Sequence, residues 1–157
     1  MPFPLKRAVW VLVLTLVLAS LAAFVLEFHA NAPAHFPFAY MNEDCGPTDG
    51  IAIELYFTLK ATAQCGKYSE PFLHIEIYEL HQSGPTDYPI GRGSRVAAAS
   101  RCLKPGQCEF ATSGTLHLEK YVNRNSASGH YKLHFPDGSV EKGRFDAAWC
   151  YFTFGCG

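Results

Sequence analysis

The sequence predicts an exported, disulfide-bonded, all-β domain, an antiparallel sandwich or flattened barrel of about seven strands, preceded by one N-terminal hydrophobic helix. Three observations carry that expectation. Residues 8–26 contain no charged side chain, and all six cysteines lie downstream of them. From residue 51 onward apolar side chains recur at every second position in segment after segment, and no 3.6-residue stripe interrupts them.

The apolar run is bounded by Lys6 and Arg7 in front and Glu27 behind. Its 19 residues exceed the ~7–15 of a signal-peptide core and approach the ~20 of a spanning helix, which favours an uncleaved anchor over a signal peptide. Ser20 and Ala22 offer a small-residue cleavage pattern inside the run, and Ala30 and Ala32 offer one beyond it, but Pro33 follows the latter. Either way Lys6 and Arg7 stay inside and the remainder crosses. The expected organisation is a cytoplasmic N-region (1–7), an anchor or signal peptide (8–26), a linker (27–43) and an extracytoplasmic β domain (44–157). Such a protein sits in the cell membrane if anchored, and is secreted or periplasmic if cut. The linker is read from Pro33, Pro37 and the lack of periodicity around them.

An exported chain forms disulfides by default, and Cys45, Cys65, Cys102, Cys108, Cys150 and Cys156 are even in number. Cys102 and Cys108 flank Pro105-Gly106, a type II turn signal that folds the chain back and brings the two thiols together. Cys150 and Cys156 share the same spacing, which predicts a second bridge and leaves Cys45 with Cys65. Zinc held by thiolates is disfavoured, because no close C-x-x-C pair is present.

The strands follow in order. Residues 51–60 place Ile51, Ile53, Leu55, Phe57 and Leu59 on one face against Glu54, Tyr56, Thr58 and Lys60 on the other. Residues 72–81 repeat this with Leu73, Ile75 and Ile77 against His74, Glu76 and Tyr78. Weaker strands at 95–100 and 109–112 flank the Pro-Gly turn. Residues 115–122 turn Leu116, Leu118 and Val122 inward and His117, Glu119 and Tyr121 outward. Residues 129–135 and 140–149 form a hairpin about Pro136-Asp137-Gly138-Ser139, burying Tyr131, Leu133, Phe135, Phe145, Ala147 and Trp149. Gly143 in the return strand marks a bulge or a bend.

A net charge of −1 excludes a nucleic-acid binder, and a hydrophobic content of 48% excludes a disordered chain. The sequence carries no G-x-S-x-G, and its cysteines belong in bridges, so an enzyme is not expected and no cofactor is called for. Gly91-Arg92-Gly93 precedes a strand and reads as a loop. His74-Ile75-Glu76 and His117-Leu118-Glu119 each put an imidazole and a carboxylate on one strand face, with Tyr78 and Tyr121 beyond them. If the two strands are neighbours, these six residues form one polar and aromatic patch, joined by Tyr56 and Glu54. Such a patch suits a glycan or protein ligand, or zinc or copper through its nitrogen and oxygen donors, against the plain alternative of a solvated sheet face. His130 and His134 alternate with Lys132 and read as solvated, and Asn42-Glu43-Asp44 with Asp49 reads as an Asx-rich turn.

The opening Asp44-Cys45-Gly46-Pro47-Thr48-Asp49-Gly50 and the closing Phe135-Pro136-Asp137-Gly138 with Gly143-Arg144-Phe145-Asp146-Ala147 resemble motifs of small exported bacterial β-domain proteins of unknown function. The likeness spans most of residues 44–149. It implies an exported β domain and no activity, and Cys150 and Cys156 are extra to the pattern.

Overall fold

The computed structural model describes residues 36–47, 50–62, 64–80 and 84–151; the apolar run at 8–26, and with it the expected N-terminal helix, lies outside them. Among the described residues nine strands follow one another: β1 (Phe38–Cys45), β2 (Ile51–Thr58), β3 (Phe72–Ile77), β4 (Thr86–Gly91), β5 (Ala97–Lys104), β6 (Gln107–Phe110), β7 (Ser113–Val122), β8 (Ser126–His134) and β9 (Val140–Trp149). Eight close into a barrel in the order β1, β2, β3, β5, β4, β7, β8, β9, and β6 pairs with β5 outside the ring.

The all-β expectation holds, but the barrel is mixed rather than antiparallel. β5 slots between β3 and β4, antiparallel to the first and parallel to the second. Chain direction reverses at each antiparallel neighbour, and a closed ring must return to its starting direction. Parallel pairs in an eight-membered ring therefore come in even numbers. The second is the closure itself, β1 beside β9, with Tyr40 opposite Ala148 and Met41 opposite Trp149. Parallel strands ordinarily need a long crossover. Here β4 and β5 share one residue pair, Ile90 with Ala97, so the short turn at 92–96 suffices.

Two strands fall where none is expected. β1 occupies part of the stretch that reads as linker and Asx turn, its alternation hidden by Asn42, Glu43 and Asp44. Asn42 and Glu43 are buried with partners: Asn42 donates to Glu54, and Arg124 donates to Glu43. β4 carries Pro89, a residue that sheets tolerate where ladder bonds are few, and its side toward β5 has a single pair.

The hairpins follow their turn chemistry. Gly138 takes a φ of 82° between β8 and β9, and Gly106 takes 72° between β5 and β6. Gly143 marks no bulge, since β8 and β9 stay in register through it. It faces Tyr131 across the strands, and a Cβ there would meet the tyrosine ring at about 3 Å, so the missing side chain makes room for the aromatic inside the barrel. The irregularity lies instead between Leu118 and Lys120 on β7. One extra residue reverses the facing beyond it. Tyr121 consequently packs against the core opposite Ala127, and Val122, expected inside, is 36% exposed.

The interior is filled. Leu55, Phe57, Leu73, Ile75, Ile77, Tyr88, Leu116 and Leu133 are buried, and Phe57 meets Tyr131 at 4.9 Å and Phe145 at 5.3 Å between ring centroids. Small side chains at Ala97, Ala99, Ala127 and Ala147 offset the large ones, as in other small barrels. Ile51, the first residue of β2, and Leu59, just past its end, are expected inside but are 60% and 41% exposed.

Arg101 continues the inward row of Ala97 and Ala99 and is 3% exposed. Its guanidinium reaches Glu109 at 2.7 Å, Asp137 at 2.7 Å, Ser139 at 2.7 Å and Glu141 at 3.3 Å, and lies 4.0 Å over the Phe135 ring. One cation thus ties β5, β6, the β8–β9 turn and β9 together at one end of the barrel. Hydrogen bonds from Ser139, then the neighbouring guanidinium, hold the Asp137 carboxyl down at about 2.

The Cys102–Cys108 bridge forms as expected, across directly paired residues of β5 and β6. The other two expected pairings do not. Cys65 bonds Cys150, 85 residues away, rather than Cys45, and so Cys150 is not joined to Cys156. Cys45 is also disulfide-bonded. Equal spacing misleads here because the segment after β2 folds back over the barrel wall and meets the end of β9.

Candidate metal centre on the barrel wall

Alternation puts Glu54 and Tyr56 of β2 and His74 and Glu76 of β3 on the outer face of the wall. Register then aligns them with their neighbours. One rung runs Tyr40, Tyr56, His74, Ser100 across β1, β2, β3 and β5, and the next runs Asn42, Glu54, Glu76, Ala98. Two carboxylates, Glu54 and Glu76, are therefore directly opposite each other, a pairing that repels unless a cation intervenes.

The site lies under cover. Tyr68, on the segment that Cys65–Cys150 pins down, stacks on Tyr56 at 4.0 Å, and Tyr56 stacks on His74 at 4.3 Å. Two near-parallel rings so close must occupy opposite faces of Tyr56, which leaves neither free for a ligand. Glu54 is 5% exposed despite facing outward.

The donor atoms of Glu54, His74 and Glu76 lie within 4.8 Å of one another. His74 Nε2 sits 3.3 Å from Glu54 Oε1, within ion-pair range but out of line for a hydrogen bond, so this buried nitrogen has no hydrogen-bond partner. The remaining lone pairs are oriented by neutral donors. Asn42 donates to Glu54 Oε2 at 2.8 Å and Tyr78 donates to Glu76 Oε2 at 2.8 Å. Burial, reinforced by Glu54, pushes the Tyr56 hydroxyl far above its ordinary value; burial and the bond to Glu76 do the same to Tyr78. Both stay protonated. Tyr68 donates weakly to Asn42 Oδ1 at 3.4 Å, extending this outer layer.

Burial raises the Glu54 carboxyl, but His74, Asn42 and Tyr56 together outweigh it, and the net value lies below the ordinary glutamate value of 4.5. A carboxyl depressed in the folded state stabilises above its unfolded value, and that contribution is lost as pH falls through the folded one. In chelator-treated protein, the urea midpoint is expected to drop more steeply below about pH 4.5 in the wild type than in Glu54→Gln. Parallel pH profiles for the two proteins would overturn this.

The single patch expected from the sequence is divided. β3 and β7 are not neighbours, since β5 and β4 stand between them. Tyr56, His74, Glu76 and Tyr78 come together, with Glu54; His117 and Glu119 lie elsewhere on the wall, and Tyr121 turns inward beyond the bulge. His117 contacts Asp87 at 2.5 Å through Nδ1 and stacks on His130 at 4.8 Å. Glu119 Oε1 accepts from Arg144 at 2.6 Å, so a cation already occupies that carboxylate. Asn42 and Tyr68 are the contributors that sequence reasoning misses: Asn42 lies on β1, whose strand character is obscured by polar residues, and Tyr68 lies on the irregular segment between β2 and β3, which carries no periodic signal.

No protein-family model, curated protein or solved structure matches the chain.

Proposed function

We propose that the chain is an exported module, held at the membrane through residues 8–26, that acts by binding a divalent zinc or copper ion on its barrel wall rather than by turnover. The observation that carries this reading is the rung of opposed carboxylates, Glu54 and Glu76, with the Nε2 of His74, which makes no hydrogen bond, 3.3 Å from Glu54 Oε1. Two carboxylates balance the charge of a divalent ion, and one imidazole with two carboxylate oxygens is a donor set that first-row metals accept. Asn42 and Tyr78 supply the outer hydrogen bonds that fix ligand orientation. The bridges Cys65–Cys150 and Cys102–Cys108 support an oxidising, extracytoplasmic compartment. A glycan- or peptide-binding face of tyrosines is less favoured, because Tyr56 is sandwiched.

Full-length protein from an oxidising compartment, stripped with a chelator and titrated with Zn²⁺ or Cu²⁺, is expected to bind one ion by native mass spectrometry and calorimetry. His74→Gln and Glu76→Gln should each weaken binding by more than the ~10–100-fold that follows loss of an outer-layer partner, the loss expected for Asn42→Ala. Affinity should fall on acidification, since the imidazole must be neutral to bind. Absence of a stoichiometric adduct with either ion, or variants that bind as the wild type does, would sink the reading.

A further inference from the structure

Across the barrel from β3, the outer faces of β7, β8 and β9 are also laid out in rungs. One runs His117, His130, Arg144, and the next runs Thr115, Lys132, Lys142. His130 with Arg144 and Lys132 with Lys142 are thus two directly opposed pairs of basic side chains, all four exposed. Two ammoniums so placed repel, and the strand pairing holds them there regardless.

The four groups surround a shallow cavity of about 370 Å³ whose remaining lining is Tyr131 and Gly143. Tyr131 points into the barrel and Gly143 has no side chain, so nothing rises between the basic groups. No carboxylate lines this cup. The acids nearby are engaged: Asp87 contacts His117, and Glu119 contacts His130 and Arg144. Asp146 borders a separate hollow together with Glu119 and Arg144. Lys132 and Lys142 form no ion pair with any described residue.

We propose that this cup binds a doubly charged phosphate group, as the free ion or as a monoester. Charge and shape both point to it. With the imidazole neutral, two ammoniums and a guanidinium are met by the one carboxylate of Glu119, and the excess of two positive charges matches a dianion. Paired side chains stand about 5 Å apart across the strands and about 7 Å apart along them. A tetrahedral group with outward oxygens can take donors from more than one corner of such a rectangle, whereas a planar carboxylate offers two oxygens in one direction. The ammoniums turn freely toward an oxygen and the guanidinium presents a fork. Because no carboxylate in the lining can accept from a protonated oxygen, the fully ionised form is preferred. The mouth of the cup is open, so the substituent of an ester passes out to solvent.

The cup shares no residue with Glu54, His74 and Glu76, so full-length protein treated with a chelator tests it independently of any metal. At about pH 8, where a phosphate monoester is doubly charged, titration with inorganic phosphate is expected to shift the amide resonances of Lys132, Lys142 and Arg144 along one saturable curve. Acetate and chloride at equal ionic strength should not. Lys132→Gln and Lys142→Gln should each weaken binding about fivefold, the upper end for one exposed charged contact, and the double variant by more than either. Both should hold the wild-type urea midpoint in phosphate-free buffer, since each removes a repulsion rather than a bond. Lys60→Gln, outside the lining, should bind as the wild type does. Methyl phosphate separates the two sources: equal affinity assigns the monoester as a ligand, and binding of inorganic phosphate alone confines the site to the free ion. No saturable shift with either probe, a shift that acetate reproduces, or a response that the double variant keeps, overturns the proposal and leaves the metal centre standing.

Discussion

Replacing Cys65 and Cys150 with alanine is expected to cost about 4–5 kcal/mol of folding stability, against about 2 kcal/mol for Cys102 and Cys108. The difference comes from loop length. The first bridge closes a separation of 85 residues and the second one of 6, and cross-linking restricts the unfolded chain more when the loop is long. A domain this size has ~5–15 kcal/mol in total, so the first pair holds a large share. Guanidinium unfolding of the two double variants orders them directly. The larger loss should fall on Cys65 and Cys150, and the reverse order would contradict the entropic account. Non-reducing peptide mapping should recover Cys65 linked to Cys150; a Cys45–Cys65 peptide would overturn the pairing itself. Loss of this bridge also frees the segment carrying Tyr68, so ion affinity should fall along with stability.

Arg101→Met is expected to destabilise by about 3–5 kcal/mol, the range for removing one partner of a buried ion pair. The side chain is 3% exposed and serves Glu109, Asp137, Ser139 and Glu141 at once, so its removal strips the guanidinium from Glu141, itself 3% exposed. Arg101→Lys should recover little, because one ammonium cannot present the planar fork that serves four acceptors. The double variant Arg101→Met with Glu141→Leu should be less destabilised than Arg101→Met alone, since two apolar side chains then face each other in the barrel. Urea midpoints for the set decide it. A double variant that loses the sum of the two single losses would show that the pair is not coupled.

Much of this architecture is legible in the sequence because the physics is local. Period-two alternation at Ile53, Leu55 and Phe57, and again at Leu73, Ile75 and Ile77, fixes two strands and their buried face. Pro105-Gly106 and Asp137-Gly138 fix two turns through the backbone preferences of their own residues. What escapes is what depends on distant partners. Asn42 and Glu43 look like turn formers until Glu54 and Arg124 arrive to satisfy them. Pro89 argues against a strand until β4 is seen to need almost no bonds toward β5. The candidate centre was half legible: the i, i+2 spacing of His74 and Glu76 places both on one face, but only register brings Glu54 opposite Glu76. The same spacing at His117 and Glu119 leads nowhere, because the bulge at 118–120 and Arg144 intervene.

The parallel seam between β1 and β9 joins the first strand of the domain to the last. Ribosomal synthesis delivers the chain from its N-terminus, so β1 can pair with β2 early while its opposite edge waits for Trp149. Until then the growing polypeptide carries two open strand edges, one on β1 and one on β8, each a template for pairing with another chain. Closure is therefore a single late event dominated by contacts between residues about a hundred positions apart, the kind of topology that folds slowly. A ribosome-stalled or C-terminally truncated copy has no partially closed barrel to fall back on, and its hazard is aggregation along those edges rather than simple loss of a strand.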